Sequence, residues 1–134
     1  KLPISLDDLT RIVHTLGPQP SYDDSLFLAM LITGFKSLQC LGELVWPDSA
    51  KLQTYSMGTV PTCAWFLRCL HWFCGADFSG HSLRAGGAMA LAAAGMAPDL
   101  ICAAGQWSSD EFNKYIRQHP FLLHALMHST AHAP

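Results

Sequence analysis

The sequence predicts a mainly α-helical single domain, and three observations carry that expectation. Serines followed by acidic residues stand where helices would begin, at Ser5, Ser21 and Ser108 or Ser109. Glycine or proline stands where they would stop, at Gly17-Pro18, Gly75, Gly95 and Pro120. Between these marks the apolar residues form helix-length patterns, and no internal repeat or interdomain linker interrupts them. With 134 residues, half of them apolar and 13% charged, the chain can bury one core and is too apolar to be disordered.

Each element has a local reason. Ser5 caps a first helix with Asp8 at its third position, Ile4 staples onto Leu9, and Gly17-Pro18 stops it within residues 1–20. Ser21 opens a second helix, whose first turn holds Asp23 and Asp24, and the apolar run from Leu26 carries it to Thr33-Gly34. A third is expected over about Ser37 to Val45, ending before Pro47. Residues 47–61 are the least regular, with room for a short strand and not for a sheet. A fourth helix starts near Thr62 and ends at Cys74-Gly75; aromatic on more than one face, it is expected to be central. Leu83 to Ala94 forms the next, closed by Gly95, and Pro98 suits the first position of a short one. Asp110 and Glu111 occupy the first turn of a helix that Pro120 ends, and a last helix runs from Phe121 to about His128 before a frayed tail over 129–134.

Composition narrows the function. Charged residues, glycines and prolines interrupt every apolar run before the roughly 18 residues a membrane span needs. The N-terminus lacks the apolar stretch of a secretory signal, and the absence of an initial Met suggests a fragment. The five cysteines are odd in number and form no C-x-x-C pair, so they read as reduced, mostly buried thiols of an intracellular protein. Eight basic against ten acidic residues leave a net charge of −2 with no basic stripe, which predicts weak duplex binding unless folding gathers the cations.

The chemistry concentrates between His81 and Tyr115. His81 and Arg84 stand one helical turn apart, near a helix N-terminus whose free N–H groups favour anions. An indole, Trp107, and a phenol, Tyr115, follow. A guanidinium fork can clamp a phosphate, an imidazole can move a proton, and a phenol can attack phosphorus once deprotonated.

The ordered set of H-x-x-R, Gly-Gly, helix, Gly95, Gly-x-Trp and Tyr resembles the C-terminal half of a tyrosine recombinase (phage-integrase-type) catalytic domain. The stretches Leu-Arg-Ala-Gly-Gly-Ala and Gly-Gln-Trp-Ser-Ser-Asp-Glu-Phe-Asn-Lys-Tyr-Ile-Arg are most similar to recombinases of fungal transposable elements. Upstream, Thr33-Gly34-Phe35 and Leu41-Gly42-Glu43-Leu44 resemble that family's first box, so the likeness spans about Ser21 to Leu123. It implies the helical core of the DNA breaking-rejoining fold, with its β-sheet insertion largely missing. It also implies a nuclear protein that recombines or integrates double-stranded DNA through a 3′-phosphotyrosine, without cofactor or metal. Tyr115 would be the nucleophile, Arg84 the second phosphate-binding arginine and His81 the proton-handling histidine. The position that is usually His or Trp falls at Gln106 by counting and at Trp107 by chemical type, and Trp107 is chosen.

Two departures weaken the enzyme. Cys40 stands where the family places its first arginine, and Lys36, one turn earlier, cannot reproduce a bidentate fork. Pro47 to Thr59 leaves only a loop where the family has a sheet whose hairpin lysine acts as general acid; Lys51 lacks that context. The family's N-terminal DNA-clamping domain also has no counterpart here. Losing one such arginine contact to a transition state costs on the order of 3 kcal/mol. The expected result is a degenerate, catalytically impaired domain.

Plainer readings exist for the same residues. Tyr115 can be a packing tyrosine, Arg84 a partner of Asp77, Trp107 and Cys40 core residues, and Gly86 and Gly87 sites of close backbone approach. His124, His128 and His132 share a helical spacing that can hold Zn²⁺ or Ni²⁺, although no carboxylate or cysteine completes the set. The alternative function is a non-catalytic interaction module, with the Trp65/Trp72 helix or the final Phe121-Leu-Leu helix pairing with another copy or partner.

Overall fold

The computed structural model describes residues 1–46 and 60–130. Among these residues eight helices follow one another, and the one β-type contact is an isolated parallel bridge between Trp46 and Thr62. The helices are α1 (Leu6–Leu16), α2 (Tyr22–Ser37), α3 (Leu41–Leu44), α4 (Cys63–Cys74), α5 (His81–Ala93), α6 (Pro98–Ala104), α7 (Ser109–Gln118) and α8 (Pro120–Thr130). The expected connection over 47–61 falls outside the described residues except for Val60 and Pro61, and so do Lys51 and His132. No helix among the described residues is long and apolar enough to cross a membrane.

Local capping sets most helix starts. Ser5 accepts a hydrogen bond from the Asp8 N–H, and the Asp8 carboxylate accepts one from the Ser5 N–H. Ser21 with Asp24 and Ser108 with Glu111 repeat this reciprocal cap, which identifies Ser108 as the cap of α7. The Thr62 hydroxyl accepts from the Trp65 N–H and opens α4. Each such cap contributes about 1 kcal/mol.

Several expectations need correction. α2 continues past Gly34 to Ser37, because Gly34 is buried where Leu44 and Leu83 leave no space for a β-carbon; the glycine admits neighbours without ending the helix. The helix expected over Ser37 to Val45 shrinks to Leu41–Leu44, since Leu38 turns left-handed at φ 56° and Cys40 is extended. α5 starts at His81, ahead of Leu83, and α8 extends into the stretch expected to fray. The five cysteines are half-buried rather than buried.

The central helix is α5, not the aromatic α4. Trp65 and Phe66 of α4 are buried, but Trp72 is 75% exposed. α5 packs against α2, α6 and α8, and it separates two apolar clusters. Leu83 joins the larger cluster with Ile4, Phe27, Leu31 and Phe66. Ala88 and Ala92 join the smaller one with Leu38, Ile101, Phe112 and Leu122. Both neighbours reach the backbone of α5 where it has no side chains: a β-carbon at Gly86 would strike the Ile4 carbonyl, and one at Gly87 would strike the Phe35 carbonyl.

This packing makes a prediction opposite to helix propensity. Alanine is about 1 kcal/mol better than glycine in a helix interior. Gly86→Ala and Gly87→Ala should nevertheless each destabilise the fold by about 1–3 kcal/mol or more, because backbone must move to admit the methyl group. Urea unfolding of the two variants checks this, and a rise in stability for either contradicts the close approach.

Candidate functional site

Three segments converge beside the N-terminal end of α5. The helix itself brings His81 and Arg84 to one side, a turn apart. Its start is anchored: the Ser79 N–H donates to the Ser82 hydroxyl at 2.8 Å, and the Ile4 N–H donates to the Ser82 carbonyl at 3.0 Å. The second segment is the stretch before α3, which presents Cys40; its N–H donates to the Glu43 carboxylate at 2.8 Å. The third runs from the end of α6 into α7 and supplies Trp107 and Tyr115.

The turn between α6 and α7 is tightly specified. Gly105 ends α6 directly beneath the Trp107 ring, which fills the space a β-carbon would take. Gln106 then adopts a left-handed φ of 55°. The Trp107 N–H donates to the Cys102 carbonyl, and the Cys102 thiol donates to the Trp107 carbonyl. These constraints hold the indole so that one face is covered by Arg84, whose Cζ lies 4.1 Å from the ring centroid. The Tyr115 ring lies 4.6 Å from the same indole and 4.3 Å from His119.

Arg84 is held by neutral partners. One terminal N–H donates to the Gly105 carbonyl at 2.7 Å, and the other to the Cys40 sulfur at 2.9 Å. Its Nε–H is buried with no hydrogen-bond partner among the described residues, and so is the Tyr115 hydroxyl. The bridge to Asp77 is not formed. Cys40 is no core filler either; it stands on the wall of the site against the guanidinium.

All four candidate residues, His81, Arg84, Trp107 and Tyr115, line one open cavity of about 510 Å³ together with Cys40. Gln106 also lines it, so the residue chosen by counting and the one chosen by chemistry share the site. Lys36 is exposed and is not among the lining residues. Sequence reasoning missed Glu111, Lys114 and Gln118, which line the cavity beside Tyr115. A signal for two of them existed: Glu111 and Gln118 stand four residues before and three after Tyr115, on one face of α7.

The electrostatics are mixed. Burial pushes the Tyr115 phenol well above its ordinary 10.0, and the opposing pull of Arg84 does not offset it. Glu111 is held below the usual carboxylate value, first by the Ser108 N–H and then by the Ser108 hydroxyl, so it remains an anion at the rim. Burial lowers His119, and the nearby His81 charge adds to this; the ring packed on Tyr115 is therefore neutral at pH 7. Arg84 and Lys114 supply positive charge against Glu111. The Arg84 Nε–H and the Tyr115 O–H are buried as well as unpaired, so an anion in the cavity meets the guanidinium charge and reaches these two donors only if the wall shifts.

No protein-family model matches the chain, and neither a curated protein nor a solved structure matches it at a significant level.

The raised phenol gives a pH signature. The folded chain keeps the Tyr115 proton at a pH where the unfolded chain releases it, so its contribution is complete below pH 10.0 and declines as pH rises further. Ultraviolet titration should show one tyrosine ionising above the ordinary 10.0, or only on unfolding, and Tyr115→Phe should remove that late step. Ionisation of Tyr115 at the ordinary 10.0 would contradict a buried phenol.

Proposed function

We propose that this chain is a tyrosine-recombinase-like domain that holds a DNA phosphodiester while its strand-cleaving chemistry is impaired. The observation that carries the reading is convergence: a histidine, an arginine, an indole and a phenol from two separate segments meet at one cavity. Trp107 and Tyr115 also pack on the second apolar cluster, but packing does not account for Arg84, whose charge has no carboxylate partner among the described residues and is left to an anion.

The impairment has three physical causes. Where the resemblance calls for a first arginine, Cys40 offers a thiol that itself takes an Arg84 donor. A phosphorane would thus meet one fork instead of two. Tyr115 is a harder proton to remove than a free phenol, because burial penalises the phenolate. Attack by the phenol would form the tyrosyl–phosphorus bond and release a 5′-hydroxyl, which requires a proton donor at the leaving oxygen; the sequence between Pro47 and Thr59 offers no hairpin for such a lysine, and Lys51 is not given that role. His81 is exposed at the same cavity, but the Tyr115 hydroxyl is buried and makes no hydrogen bond to it, so the phenol has no base in contact among the described residues.

Binding and cleavage are tested separately. Fluorescence anisotropy with a short duplex should give weak binding that falls about tenfold between 50 and 200 mM salt, as for two neutralised phosphates. Arg84→Ala should weaken binding about tenfold or more and flatten the salt slope by about one unit, whereas Cys40→Arg should tighten it. A nicked suicide duplex should trap no covalent adduct. Salt-insensitive binding, or an Arg84→Ala variant that binds like the parent, overturns the phosphate reading. An adduct that Tyr115→Phe abolishes overturns the impairment.

A second reading is favoured by the outer side of α8, where Phe121, Leu123 and Met127 are 55%, 44% and 66% exposed. Pairing of this side with a second copy would hide apolar surface. Light scattering should then show mass rising with concentration, and Phe121→Ser should suppress the rise.

A further inference from the structure

We propose that His124 and His128 form a two-imidazole site on α8 for a divalent transition-metal ion of the copper(II) or nickel(II) kind. The proposal is independent of the phosphate-binding reading, since neither histidine lines the cavity at α5. The two side chains lie four residues apart on one helix, both exposed, and their Nε2 atoms face each other at 2.9 Å. The ring centroids are 4.1 Å apart with the planes inclined by 54°, so the rings converge at their outer nitrogens and do not stack flat.

Facing nitrogens at that distance require one ring to donate and the other to accept, with a single proton between them. A metal ion binds once that proton is released and each exposed ring turns its Nε2 lone pair from its partner toward an ion beside the pair. Donor type selects the class of ion: two imidazole nitrogens without thiolate or carboxylate suit copper(II) and nickel(II), which rank high for nitrogen donors in the divalent series. The 2.9 Å separation places the two nitrogens close enough to share one ion.

The backbone beneath the pair is already ordered. Leu122 is fully buried and Leu126 nearly so, in the cluster that joins α8 to α5. The donors are therefore carried on a docked helix, and an ion spanning one turn would further hold α8 in helical form. Among the described residues no third histidine, cysteine or carboxylate completes a cluster, so there the ion has these two imidazoles as its protein donors.

The test uses the whole chain with nickel(II) and copper(II) salts as probes. Isothermal titration should show one ion bound per chain, reversed by EDTA, and the copper adduct should show nitrogen hyperfine structure in electron paramagnetic resonance. His124→Ala and His128→Ala should each lose the isotherm. The two residues are exposed, so both variants should retain the parent's circular dichroism. His14→Ala, a change at an exposed histidine on α1, should bind like the parent. No binding by the parent, or an unchanged isotherm in either His124→Ala or His128→Ala, overturns the proposal.

Discussion

Ile4 and Phe35 press their carbonyl groups against α5 at Gly86 and Gly87, and much of the architecture depends on that contact. Two adjacent positions without β-carbons let two other segments reach the helix backbone. The Ile4 side fixes the helix start, because the same residue donates to the Ser82 carbonyl. The Phe35 side fixes α2 and, five residues on, brings Cys40 within reach of Arg84. A glycine pair unfavourable to an isolated helix therefore sets the distance between the helix and the wall of the cavity.

Arg84 is the second organising element. A guanidinium this close to the interior is normally matched by a carboxylate, and burying it without any compensation would be costly. Here the compensation is neutral: a carbonyl, a sulfur and an indole face. The charge is solvated by the protein without being cancelled. Such a site attracts anions more strongly than one closed by an ion pair, and Glu111 at the rim moderates the effect. The same arrangement restrains chemistry. Two donors are already occupied, and the phenol beside them is protonated more firmly than a free tyrosine because its surroundings cannot solvate a phenolate.

How far the sequence could be read follows from the range of each interaction. Ser5–Asp8, Ser21–Asp24 and Ser108–Glu111 are caps made within four residues, and their serines marked the helix starts. Gly34 misled, since a glycine inside a pattern serves equally as a stop or as room for Leu44 and Leu83. Trp72 misled in another way: its hydrophobicity suggested a central helix, yet whether a large side chain finds a cavity to fill is settled by neighbours distant in sequence. The short α3 had no local sign, because the left-handed turn at Leu38 is stabilised by the burial of that leucine in the second cluster.

The order of His81, Arg84, Trp107 and Tyr115, the small-residue character of α5 and the helical class were all determined by the sequence itself, because spacing and residue chemistry are local properties. Tertiary structure alone decided that Cys40 meets Arg84, that the Gly105 carbonyl takes one of its donors, and that Glu111 and Lys114 stand at the same cavity. Those contacts join segments far apart in the chain, and only the packing of α2, α6 and α8 around α5 brings them within hydrogen-bonding distance.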